Sequence, residues 1–278
     1  MRVISDEVHP STSSLIFALS LPHILVVNSV IIRERISGTL PPSRDEMIKV
    51  RSAGERGKTQ TSWLDSSHTF SFNRYHDPRY TGFRDLLVIN EDIVAPAQGF
   101  GTHSHDNMEI LTYVVEGVLE HRDSTGGSGV IRPNDLQRMS AGTGVSHSEF
   151  NPSQTESAHF LQIWILPEQK GLKPEYEQRA FPDNERRGRL RLIATPDGNS
   201  GSVSIHQDVK LYDALLVAGD EVTYQLDKDR HAWIQVIKGM VTINGMTLGT
   251  GDGAAISNEV SLRIKATEDA EILLFDLA

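Results

Sequence analysis

Two short segments of the 278-residue chain place imidazoles and carboxylates at alternate positions: Gly101-Thr-His103-Ser-His105-Asp-Asn-Met-Glu109 and Met139-Ser-Ala-Gly142-Thr-Gly144-Val-Ser-His147-Ser-Glu149-Phe-Asn151. On a β-strand, residues i and i+2 project from one face, so His103 and His105 can enter one cavity, as can His147 and Glu149. Glu109 shares the parity of the first pair. An isolated His-x-His is more often two surface or cross-strand histidines, but two same-face pairs flanking a hairpin are far more specific. Three imidazoles and one carboxylate, from Glu109 or Glu149, would leave two positions of an octahedral ion open, a donor set that suits Fe(II) and, somewhat less, Mn, Ni or Cu(II). The chain contains no cysteine, which excludes disulfides, iron–sulfur clusters, thiolate zinc sites and a cysteine nucleophile. Any metal is therefore held by nitrogen and oxygen. Gly142 and Gly144 would allow a tight turn against the ligand strand just before His147.

Such donors need a rigid β framework around them. The runs LLVIN (86–90), ILTYVVEG (110–117), HFLQIWIL (159–166) and AWIQVIKG (232–239) are rich in β-branched and apolar residues, and DSTGG, TPDGNSG and NGMTLGTGDG supply turns between such runs. No segment shows the length and period of a long amphipathic helix, so the fold is read as mainly β, in sandwiches or barrels. Residues 109–117 (EILTYVVEG) align with residues 231–239 (HAWIQVIKG) at an offset of 122 positions, and RPNDLQRMS is echoed by GTGDGAAIS. A repeat of this size implies a duplicated domain whose copies pack together. The polar, Pro-containing stretch KGLKPEYEQRAFPDNERRGR marks the boundary, giving domains at 47–175 and 176–278. The same offset sets Gln225 opposite His103, Asp227 opposite His105 and His231 opposite Glu109. The second copy thus lacks the donor set, His231 beside Trp233 reads as structural, and one metal per chain follows.

With 27 basic against 37 acidic residues the net charge is −10, which argues against direct binding of nucleic acid. The clustered Arg186, Arg187, Arg189 and Arg191 lack interleaved aromatics and read as a solvated loop. Residues 14–32 are apolar, but Pro22, His23 and Asn28 interrupt them, and Asp6, Glu7 and His9 stand where a signal peptide carries basic residues. Residues 1–46 are therefore read as an extension outside the fold, with Met47 as the natural start; a targeting segment is the alternative. The expectation is a cytoplasmic monomer without membrane attachment.

The pattern G-x-H-x-H-x3-E followed by G-x2-H-x3-N resembles the two motifs of the cupin superfamily. The segments HTFSF (68–72), GFGTHSHDNMEILTYVVEG (99–117), MSAGTGVSHSEFN (139–151) and LQIWI (161–165) are closer still to its pirin branch, in particular bacterial pirin-like proteins with quercetin 2,3-dioxygenase activity. The likeness covers essentially all of 47–278. It implies two jelly-roll cupin domains, a bicupin, with one divalent metal in the first, Fe(II) foremost and Mn, Ni, Cu or Zn as alternatives. It assigns His103, His105, His147 and Glu149 as ligands, whereas the general cupin pattern would use Glu109, which is placed here in the cavity wall or just behind the ligands. The implied reaction is opening of a flavonol such as quercetin by dioxygen with loss of carbon monoxide, Glu149 first and Glu109 second taking the substrate's proton. Alternatives are a metal- and redox-dependent regulator that docks a protein partner, with incidental turnover, and a cupin enzyme acting on another substrate. Phe70, Phe72 and Phe100 are candidates to line a pocket for a planar ligand, against the commoner core role. His68 stands between a cavity and a structural role, Trp63 and Trp164 are left to packing, and Asp65-Ser-Ser-His68 is not read as a triad.

Overall fold

The computed structural model describes residues 47–278; the segment 1–46, read above as an extension, lies outside the described residues. In the first half a seven-stranded sheet runs in the order Glu175–Ala180, Asp135–Ser140, Glu109–Glu116, Ala158–Ile165, Leu86–Val94, Leu64–His68, Gly57–Gln60. Its companion is a four-stranded sheet in the order Gly99–His105, Val145–Phe150, Leu119–Asp123, Ser128–Ile131. The second half repeats this scheme. Gly253–Ile256, His231–Lys238, Ala270–Leu277 and Val209–Leu216 stand in the same order as their counterparts in the centre of the first large sheet, beside a four-stranded sheet of Glu221–Gln225, Ser261–Ala266, Met240–Ile243 and Met246–Gly249.

The aligned runs at 109–117 and 231–239 are the same strand of the two copies, and each turns into its next strand at a glycine with positive φ, +74° at Gly117 and +78° at Gly239. A Cβ at either would fall 2.5 Å from the Ser157 carbonyl oxygen or 1.9 Å from that of Asp269. Left-handed backbone and close approach together demand glycine there.

The central strands are buried on both faces, which is why they read as nearly continuous apolar runs. In Glu109–Glu116, Leu111 and Tyr113 join a core shared with Trp233, Leu273 and Phe275 of the second half, while Ile110 and Val114 face the first interior. Ala158–Ile165 does the same, with Leu161 and Ile163 in the shared core and Phe160, Gln162 and Trp164 on the opposite face. The two halves also exchange outer strands. Ile48–Arg51 pairs with Gly253–Ile256 of the second half, and Glu175–Ala180 pairs with Asp135–Ser140 of the first. The expected division between 175 and 176 therefore falls inside a strand of the first sheet.

One member of the arginine cluster departs from the solvated loop expected for it, while Arg189 is exposed as expected. Arg186 ends the short helix Asp183–Arg186 and is 4% exposed. Its Nη1 lies 2.6 Å from Asp213 Oδ2 and 2.9 Å from Glu271 Oε1, and it donates to the Tyr113 hydroxyl at 2.6 Å. Two carboxylates offset the cost of burying the cation, so this guanidinium ties the first half to the second. Arg187 remains exposed.

Candidate metal centre

The strand that carries His103 and His105 and the strand that carries His147 and Glu149 lie side by side in the four-stranded sheet, with His147 directly opposite His103. A bulge between His147 and Glu149 then shifts the register so that Glu149 pairs with Phe100, the local irregularity that β-structures use to re-aim a side chain. The ring centroids of His103, His105 and His147 are 4.3–5.0 Å apart. One nitrogen from each ring falls within 4.8 Å of the others. Gly142, with φ +50°, makes the tight turn before His147, but against the Leu172 carbonyl rather than the ligand strand: a Cβ there would meet that oxygen at 2.1 Å.

Hydrogen bonds orient the rings. His103 Nδ1 donates to the Gly101 carbonyl at 2.8 Å, which turns Nε2 the other way. The Nε2 atoms of His105 and His147 are buried without a hydrogen-bond partner, an arrangement that is costly unless something else supplies a bond. Burial, with His103 nearby, pushes His105 down to about 4, and burial with His103, His105 and His121 pushes His147 down to about 3. These two rings are therefore neutral at pH 7 and offer lone pairs. Glu149 is 4% exposed, its Oε1 accepting from Gln162 and, at 3.4 Å, from Thr112. Burial raises its carboxyl to about 7 against the pull of Gln162. The three imidazoles, two of them with unpaired buried nitrogens, fit a divalent cation of the nitrogen- and oxygen-preferring kind, and Glu149 clusters with His147 and His121 beside them.

All four groups line one cavity of about 110 Å³. Phe72, Phe100, Ile110 and Trp164 form its apolar wall. Trp164, assigned to packing from sequence, stands edge-on to His105 at 4.8 Å and to Phe72 at 5.3 Å. Trp63 packs behind Phe100 at 5.3 Å, as expected of a supporting residue. Phe70 does not reach the cavity; it sits in the shared core 4.9 Å from Trp233. His68 does line the cavity, held between Asn90 Oδ1 and Thr59 Oγ1, both at 2.8 Å.

Glu109 departs from its expected place in the cavity wall or just behind the ligands. The strand Gly99–His105 ends before it, and the turn at 106–108 breaks the parity that linked it to the histidines. Glu109 opens the next strand on the face that carries Leu111 and Tyr113, where it accepts from Ser140 Oγ at 2.9 Å and from the His206 backbone at 3.3 Å. It thus buttresses the junction of the two halves. The carboxyl that sequence reasoning missed is Asp92, which lines the cavity with Oδ1 buried and unpaired. Its signal was faint: an acid in the strand Leu86–Val94, which also carries Asn90 and Glu91.

Burial raises the Asp92 carboxyl to about 7, opposed by the Ser66 hydroxyl. The folded carboxyl thus keeps its proton to higher pH than the unfolded one, so this group's contribution to stability declines as pH rises from about 4 to about 7 and is flat above. In metal-free protein Asp92→Asn is expected to raise the urea-unfolding free energy at pH 8 by up to about 4 kcal/mol, with little change at pH 4. Equal effects at the two pH values would contradict the assignment.

In the second copy the strand equivalent to Val145–Phe150 presents Leu262, Ile264 and Ala266, all fully buried. That interior is filled with hydrocarbon, and His231 instead bonds Ser257 Oγ at 2.7 Å. A duplicated jelly roll with one donor-lined and one hydrocarbon-filled interior defines a bicupin. Within that class the chain belongs to the pirin family. The Pirin family model matches residues 49–165, and the model described as the quercetinase C-terminal cupin domain matches residues 192–277. The quercetin 2,3-dioxygenase of Escherichia coli K12 is 50% identical over 231 residues, covering 83% of this chain and 99% of that protein. A pirin-like protein of Caulobacter vibrioides is 37% identical over 84% of this chain and all of its own length. The crystal structure of the Escherichia coli bacterial pirin YhhW in complex with nickel(II) superposes with a TM-score of 0.80 at 49% identity, covering 83% of this chain and 99% of that one. Among the described residues no helix is long and apolar enough to cross a membrane.

Proposed function

We propose that the chain is a metal-dependent dioxygenase that opens flavonols such as quercetin, holding one divalent ion through His103, His105, His147 and Glu149. The observation that carries this reading is the pairing, in one cavity, of unpartnered imidazole nitrogens with an aromatic wall of Phe72, Phe100 and Trp164. The names of the relatives support the substrate class, and the nickel complex of the Escherichia coli protein supports a divalent ion. Fe(II) is the ion we assign on donor type, with Mn, Ni, Cu and Zn sharing these donors.

A divalent ion at this site lowers the pKa of a hydroxyl oxygen brought to it. The remaining work falls to the chain itself. Phe72, Phe100 and Trp164 offer flat apolar surface to a planar ring system, and the closeness of Trp164 to His105 sets where a hydroxyl on that ring would lie. The proton released from the hydroxyl needs an acceptor inside the cavity. Glu149 is placed to meet that need, with Oε2 outside the contacts that Thr112 and Gln162 make. Asp92 takes the place given from sequence to Glu109 as the second carboxyl, since it lines the cavity and Glu109 does not.

The test is oxygen uptake and carbon monoxide release by the full-length, metal-loaded protein with quercetin. Metal-dependent uptake accompanied by carbon monoxide is expected. Full occupancy without uptake would contradict the dioxygenase reading and favour the partner-docking alternative.

A further inference from the structure

Behind the cavity a chain of buried polar contacts ends on His147. His147 Nδ1 lies 3.5 Å from His121 Nδ1, and His121 Nε2 lies 3.0 Å from Asp123 Oδ2. The three residues sit on neighbouring strands, His147 paired with Asp123 and Glu149 with His121. His121 is fully buried and the Asp123 side chain is 1% exposed. The Tyr176 ring covers His121 at 5.0 Å. None of these three partners, His121, Asp123 or Tyr176, lines the cavity, although a ring nitrogen of His121 lies within 4.8 Å of ligand atoms of His147 and Glu149.

With His121 neutral, the contacts have one consistent sense. An ionised Asp123 can only accept, so His121 carries its proton on Nε2 and leaves a lone pair on Nδ1. That lone pair accepts from His147 Nδ1, and the His147 Nε2 atom, buried and unpartnered, is left with its own lone pair. We propose that Asp123 and His121 are positioning residues that lock His147 in the ring orientation and tautomer required to bind a divalent metal through Nε2. Such outer partners orient ligands and are worth about 10–100-fold in metal affinity. The inference rests on the reading of His147 as a ligand.

Asp123→Asn tests it by reversing the chain. Oδ1 is pinned by Thr125 N at 2.8 Å, Thr125 Oγ1 at 2.6 Å and Gly127 N at 3.0 Å. The amide nitrogen must then occupy the Oδ2 position and donate to His121, which drives the proton of His147 onto Nε2. Nickel(II) titrations of the full-length protein are expected to show affinity weakened about 10–100-fold in Asp123→Asn, with the metal-free melting temperature close to wild type. His121→Gln can still donate to Asp123 and accept from His147, so it should hold affinity within about threefold, whereas His121→Leu should lose it as Asp123→Asn does. Wild-type affinity in folded Asp123→Asn would overturn the relay. Should that variant not fold, equal affinities for His121→Gln and His121→Leu would overturn it instead. Absence of nickel binding by the wild type would overturn the metal centre itself, and this inference with it.

Discussion

Replacing His147 by alanine is expected to abolish specific binding of a divalent metal and, with it, turnover of quercetin. His147 is the pivot of the donor set, since it is shared by the cluster of His103, His105 and His147 and by that of His121, His147 and Glu149. Its loss leaves two histidines that are partly exposed and one carboxylate already engaged by Gln162. The fall in affinity should exceed the about 10–100-fold that an outer partner is worth. It is readable without catalysis: wild type held at 1,000 times its dissociation constant gains about 4 kcal/mol of stability from the metal, and His147→Ala should gain none. The metal-free variant should fold, because the substitution removes a buried Nε2 that has no partner and, at Nδ1, a single 3.5 Å contact with His121. A metal-dependent rise in melting temperature equal to wild type would contradict the assignment of His147.

The second large effect concerns Arg186. In Arg186→Met the aliphatic stem is kept, but the Asp213 carboxylate, 1% exposed, and Glu271 face each other and Tyr113 without a cation. Removing one member of a buried ionic cluster costs about 3–5 kcal/mol, to be measured by urea unfolding at pH 8. Burial already raises the Asp213 carboxyl to about 7 with Arg186 present, so a neutral Asp213 should be more readily reached once the guanidinium is gone. The loss should therefore shrink at pH 5, and Arg186→Met combined with Asp213→Asn should recover part of it at pH 8. A loss independent of pH and unrelieved by Asp213→Asn would mean that Arg186 acts through packing alone.

What was legible in the chain follows from the range of the interactions involved. Alternation along a strand is local, so His103 with His105, and His147 with Glu149, could be paired from spacing, and the structure brings all four to one cavity. The repeat was legible because Gly117 and Gly239 occupy the same left-handed turn in both copies. Parity failed where it was carried across a chain reversal, which turned Glu109 to the far face of its sheet. Arg186 was misread because its partners Tyr113, Asp213 and Glu271 are distant in sequence, and nothing local separates a compensated buried arginine from the exposed Arg187. Asp92, Trp164 and His121 were missed for a related reason. Each acquires its role from strand pairing, as when Trp164 meets Val88 on one side and Ile110 on the other.

Anomalous diffraction from crystals of the full-length protein loaded with nickel(II) tests the central claim most directly. A single strong peak per chain is expected, within bonding distance, about 2.0–2.2 Å, of a nitrogen of each of His103, His105 and His147 and of a Glu149 oxygen. A peak between His121 and His147 Nδ1 on the other side of the ring, or no peak from fully loaded protein, would contradict it.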